Sequence, residues 1–172
     1  MKTSLLLITI LILTVEAWAE PCLVYWVSHG KASLVLNGET LQGQEVGKNI
    51  FMAKASLSVG DVLAFRCQHK GSTPALVVAV LSARDKRFLF GSHSDGWVSS
   101  SRVPKSVWYK EKTNGLLGPG NQRVKTPKRP NTLSRFVLFL SNEDVDVKPI
   151  WGAKRSQAFL KRTVSKRDME SK

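Results

Sequence analysis

Trp97 and Trp108 stand among polar side chains, with Ser94 and Asp95 before the first and Arg102 between the two. Aromatic faces stack on the apolar side of sugar rings, and hydroxyl, carboxylate and guanidinium groups beside them would fix a ring's orientation. These five residues form the candidate carbohydrate site. The opposing expectation is that both indoles close a core, as Trp26 and Trp151 are expected to do. A second set is electrostatic: Lys110, Lys112, Arg123, Lys125, Lys128 and Arg129 follow one another within a single stretch. Such a row concentrates sulfated glycans, acidic proteins, anionic lipid or nucleic acid near a surface without choosing among them.

Neither set performs a reaction. A hydrolase or metalloenzyme needs a nucleophile beside a base, or converging ligands. His29, His69 and His93 are scattered near glycines or polar turns, and neither His-Glu-x-x-His nor Cys-x-x-Cys spacing occurs. No serine between Gly91 and Gly96 has glycines two positions away on both sides, so a nucleophile elbow is absent. Gly118-Pro119-Gly120 lacks the strand and helix of a phosphate cradle. Glu143, Asp144 and Asp146 offer oxygens of the kind Ca²⁺ takes, but three carboxylates without a fixed loop are weak evidence and a solvated turn accounts for them better. The expectation is a protein that is not an enzyme and uses no cofactor and no metal.

The cations belong to one part of the chain. Its 172 residues carry 26 Lys+Arg against 13 Asp+Glu, a net charge of +13. Residues 20–101 hold eight basic and six acidic residues, a balance of +2, while residues 102–172 hold seventeen and six, a balance of +11. That excess goes beyond what solubility requires and points to docking on an anionic polymer, although flexible segments also carry solubilising charge. With 42% hydrophobic and 23% charged residues the chain is neither disordered, collagen-like nor a multipass membrane protein. One domain is the expected content.

Compartment narrows the partners. Lys2 precedes an apolar run at 5–15, and Ala17-Trp18-Ala19 has the small-x-small form that signal peptidase prefers. Residues 1–19 read as a secretory signal peptide, and the mature chain is expected to begin at Glu20. The alternative is an uncleaved anchor, but the run is short for a bilayer and no later segment reaches transmembrane length. Secretion removes nucleic acid from the expected partners and favours one bridge between Cys22 and Cys67, the two cysteines. The competing arrangement is a buried free Cys67 with Cys22 free for an intermolecular link.

Short β-prone segments must position these residues. Residues 22–27 (CLVYWV), 33–37, 49–55 and 62–67 read as strands, with Asn37-Gly38 supplying the two positive-φ positions of a type I′ hairpin. The continuously apolar 75–81 (ALVVAVL) reads as a fully buried strand. Segments 87–90, 97–99, 107–109, 135–140 and 147–151 extend the series. Residues 110–134 hold too many Gly and Pro for a regular element and read as a long basic loop. Residues 154–172, with Lys-Arg pairs at 154/155, 161/162 and 166/167, read as a flexible basic tail or frayed helix. The resulting fold class is an all-β antiparallel sandwich over 20–153.

Val35-Leu36-Asn37-Gly38, Ser58-Val59-Gly60-Asp61-Val62-Leu63-Ala64, Ser94-Asp95-Gly96-Trp97, Trp108 and Ile150-Trp151 occur in a familiar order. In that order the chain resembles a galactose-binding-like jelly roll, over about 31–109 and 148–152. The resemblance implies a sandwich of roughly eight strands and a role as a carbohydrate-binding or adhesive extracellular module. After Trp97 the chain departs from the pattern, with the basic segment 101–108 in place of an acidic phrase. The functional expectation is a secreted binding module for carbohydrate or an acidic extracellular matrix component. The alternative is a structural component of a secreted, mineral-associated organic matrix without a sugar site.

Overall fold

Val77, Ala79 and Leu81 alternate with Leu76, Val78 and Val80 along a strand whose every residue is buried. Both of its faces need cover, and the surrounding architecture supplies it. The structure, a computed structural model, describes residues 19–69, 74–93, 95–100, 102–113, 121–127, 131–140, 145–152 and 156–170. The leader up to residue 18, Ser94, Lys128, Arg129, Glu143, Asp144 and the 154/155 pair lie outside the described residues.

Two antiparallel sheets face each other. Strands β1 (Glu20–Ser28), β2 (Lys31–Leu36), β3 (Glu39–Leu41), β4 (Gln44–Gly47), β5 (Ile50–Leu57) and β6 (Val62–Gln68) come first. Then follow β7 (Leu76–Ser82), β8 (Phe88–Gly91), β9 (Trp97–Ser100), β10 (Asn121–Arg123) and β11 (Gln157–Thr163). The first sheet has the order β4-β5-β1-β7-β8 and the second β10-β9-β11-β6-β2-β3. The expected all-β antiparallel sandwich is therefore what the chain forms. The β2–β3 turn is Asn37-Gly38, with φ of 50° and 89°, the left-handed pair that the hairpin reading required.

Between the sheets lie Val24, Trp26, Leu34, Leu63, Phe65, Val78, Val80, Trp97 and Leu160. Trp26 stacks on Phe51 at 5.8 Å and meets Phe65 edge-on at 5.7 Å, and Phe65 reaches Trp97 at 6.1 Å. The outer face of the first sheet is covered by helix α1 (Asn131–Leu140), whose Phe136 is fully buried with Val27, Ile50, Val77 and Ala79. This second layer explains why β7 is apolar at every position from Leu76 to Leu81.

Four expectations are corrected. Residues 135–140 are part of α1, not a strand, because Phe136 and Leu140, four apart, sit on one helical face against the sheet. Residues 107–109 lie in a 3₁₀ turn, Ser106–Tyr109, entered from Pro104. Residues 147–151 make only isolated pairings, Ile150 with Leu76 of the first sheet and Trp151 with Lys125 beside the second, and so tie the two sheets together at one end. Most consequentially, the presumed tail contains β11, an interior strand of the second sheet between β6 and β9. It is followed by the short helix α2 (Lys166–Met169).

The expected Cys22–Cys67 bridge is not formed: both thiols are free and buried. Topology gives the reason. Trp26 packs beside Phe65, and His29, just after β1, lies beside His69, just after β6, so the two strands run the same way. Cys22 precedes Trp26 by four residues and Cys67 follows Phe65 by two, which separates them by roughly 20 Å along the strands, far beyond the ~7 Å a disulfide can span.

Candidate functional site

Charge is divided between the sheets. Strands β2, β6, β9, β10 and β11 contain Lys31, Arg66, Arg123, Lys161 and Arg162 and no Asp or Glu; Glu39 of the edge strand β3 is the second sheet's one strand carboxylate. The strands of the first sheet hold Glu20, Glu45 and Lys54. Residues opposite one another in antiparallel strands share a face, so the register places these cations. Leu34, Phe65 and Leu160 point between the sheets. Their neighbours form outward rows: Thr40–Val35–Ala64–Lys161–Val98–Arg123, then Ser33–Arg66–Phe159, then Lys31–Gln68–Gln157. Four cations thus face outward, while Arg162 lies on the inner side.

Two aromatic rings are set into this face. The 3₁₀ turn lays Trp108 and Tyr109 over Val35, Ala64 and Phe159, and the two rings meet edge-to-face at 5.1 Å. Lys161 holds one end of the pair. Its Nζ lies 4.4 Å from the Trp108 ring centre and donates to the carbonyl oxygens of Trp108 at 2.7 Å and Glu111 at 2.9 Å. With 1% exposure, its ammonium is satisfied by carbonyls and an indole face rather than by water. Burial lowers its pKa below the ordinary 10.5, partly offset by Glu111. At the other end the Arg66 guanidinium lies 4.5 Å from the Tyr109 ring centre. The result is a chain of Lys161, Trp108, Tyr109 and Arg66, two cations bracketing two rings.

The segment carrying those rings is strapped down along its length. Trp108 Nε1 donates to Asn121 Oδ1 at 2.7 Å, and the Thr113 backbone N–H donates to Thr163 Oγ1 at 2.6 Å. A Cβ on Gly38 would stand 2.6 Å from Lys110 Cε, and one on Gly60 2.7 Å from Lys112 Nζ. Lys110 and Lys112 therefore rest on the β2–β3 and β5–β6 turns, at one edge of the cationic face. Arg123 and Lys125 are exposed at the opposite edge.

The expected sugar platform is not assembled. Trp97 is 2% exposed, points between the sheets and donates from Nε1 to the Gly91 carbonyl. Trp108 is 9% exposed on the other side of the same sheet, with Lys161 against its ring. The two indoles thus occupy opposite faces and close cores. Asp95 is exposed beside His93, its Oδ2 3.9 Å from Nδ1, and Arg102 is exposed near Ser100. The electrostatic set fares differently: its four described members surround a face whose centre, Arg66, Tyr109 and Lys161, sequence reading missed. Alternation along β6, which sets Arg66 opposite to Phe65 and Cys67, was the available signal.

His29 and His69 also differ from isolated turn residues. Both are half-buried and stack at 6.4 Å; His69 Nδ1 donates to the His29 carbonyl and its ring meets Trp151 at 6.1 Å. Among the described residues no three His, Cys, Asp or Glu side chains could hold a metal ion, and no helix is long and apolar enough to cross a membrane. Compared with known proteins, the chain matches no protein-family model, no curated protein and no solved structure.

Proposed function

We propose that the chain is a secreted, non-enzymatic binding module that docks on an anionic extracellular polysaccharide through the outward face of its second sheet. One observation carries this reading: Lys31, Arg66 and Arg123 are exposed on that face, on three strands that contain no carboxylate. Like charges on one face repel, at a cost in stability, and an anionic polymer laid across them removes that repulsion. Between the cations stand Ser33, Gln68, Gln157, Ser100 and Asn121, whose hydroxyls and amides match a hydroxyl-rich chain. A protein interface would instead present an apolar centre depleted of charge. The ordered motifs favour a galactose-binding-like jelly roll as the finer description of the sandwich.

The test is retention of the mature protein on immobilised heparin. Elution above physiological ionic strength is expected, with steep dependence on salt. Elution below it overturns the reading, and retention on polyaspartate but not heparin would transfer the partner to acidic matrix proteins.

A further inference from the structure

Resting on the docking reading above, we infer that Arg66 is the anchor of a discrete oxyanion subsite, one that grips a sulfate ester or uronate carboxylate of the polymer through both arms of its guanidinium. Among the outward cations, Arg66 is the one fixed by a ring while still exposed. Its guanidinium lies 4.5 Å from the centre of Tyr109, which is itself 2% exposed and pinned against Trp108. Lys161, by contrast, spends its donors on two carbonyl oxygens, and Lys31 and Arg123 are exposed at the sides of the face.

A guanidinium held 4.5 Å from the centre of a buried ring, and hydrogen-bonded to that same tyrosine, is restricted in the directions in which it presents its remaining N–H donors. That geometry matches the paired oxygens of a carboxylate or sulfate, which a lysine ammonium can meet only as a point charge. The surroundings extend the grip to a sugar unit. Ser33 and the half-buried Phe159 flank Arg66 in its own row, and Lys31, Gln68 and Gln157 form the next row. An apolar ring, hydroxyl and amide partners and a second cation therefore lie around one fork.

The experiment separates geometry from charge. Affinity for heparin at physiological salt is measured for the wild-type chain, Arg66→Lys, Arg66→Gln and, as a charge-loss control on the first sheet, Lys54→Gln. Arg66→Lys keeps net charge, yet it should weaken binding by about tenfold, most of the way to Arg66→Gln, because the fork is lost. Lys54→Gln should stay within about twofold of wild type, since it stands off the face. Near-UV circular dichroism confirms that the variants retain the fold, as expected for an exposed side chain. Arg66→Lys equal to wild type overturns the subsite while leaving docking intact; a wild-type chain that does not bind overturns both. Repeating the series on desulfated heparin, which keeps its carboxylates, names the anion: a penalty that persists assigns the fork to a uronate, and one that disappears assigns it to a sulfate.

Discussion

Lys161 shows how little a residue's type says about its place. It lies on β11, completely enclosed, and its ammonium holds the 106–112 segment to the sheet by bonding to the carbonyl oxygens of Trp108 and Glu111. Lys161→Ala leaves both oxygens without their donor and removes the stem beneath Trp108, so it should cost about 3 kcal/mol in urea denaturation. It should also weaken heparin binding by loosening Tyr109 under Arg66. The thiols make a second prediction at this scale. Burial raises the Cys22 pKa from 9.0 to about 11, and burial raises that of Cys67 as well. Above pH 9 the unfolded chain releases thiol protons that the folded chain retains, so stability falls as pH rises. Cys22 alone accounts for about 2 kcal/mol by pH 10.5. The lowered Lys161 pKa acts in the opposite sense, since the folded chain sheds that proton first and gains stability as pH approaches 10.5. The Cys22→Ala chain should therefore show a shallower alkaline loss than wild type in denaturation curves between pH 8 and 10.5. A thiol reagent should find no reactive cysteine in the native protein and two after unfolding; a bridged chain would show none in either state.

At the scale of elements, legibility followed burial by apolar side chains. Strands β1, β6 and β7 and the Asn37-Gly38 hairpin were readable because their partners are apolar or their turn demands particular residues. Strand β11 was not, because its Lys161-Arg162 pair puts one cation in a fully buried position and the next in a half-buried one. Lys161 faces outward under Trp108, while Arg162 faces inward over Phe90 at 5.0 Å. Each is matched by a group remote in sequence or in the last turn, and neither pattern nor propensity reveals such a match. Residues 135–140 misled for the opposite reason: a short apolar run fits strand and helix equally, and only the uncovered face of the first sheet decides it. Arg162 also anchors α2. It donates to Asp168 Oδ1 and to the Asp95 carbonyl, while Asp168 Oδ2 accepts from the Ser165 backbone N–H and hydroxyl at 2.8 Å. Both side chains are largely buried, so Asp168→Ala strands the Arg162 charge and removes the helix cap. That substitution should lower stability by about 3–4 kcal/mol in thermal or urea unfolding. Lys166→Ala, which removes only the exposed pair with Glu170, should change stability by less than about 0.5 kcal/mol.

For the whole molecule, the division of charge means more than its sum. A net +13 assigned to a loop and a tail would suggest cations moving freely beside a neutral scaffold. Because β11 belongs to the sandwich and residues 106–112 are fixed to it, several of those cations instead occupy set positions on one sheet, while helix α1 covers the opposite outer face with apolar side chains. Docking should therefore depend on which cations are removed, not how many. Two triple variants test this at identical net charge: Lys31→Gln/Arg66→Gln/Arg123→Gln on the second sheet, and Lys48→Gln/Lys54→Gln/Arg84→Gln on and around the first. All six side chains are exposed, so both variants should keep the wild-type unfolding free energy within about 1 kcal/mol. In plots of log affinity for heparin against log salt concentration, the first variant should lose roughly two to three units of slope, near one per cation no longer displacing a counterion. The second should run parallel to wild type. Equal slopes for the two would mean that the polymer responds to net charge alone, and the outward face of the second sheet would then have no special part in binding.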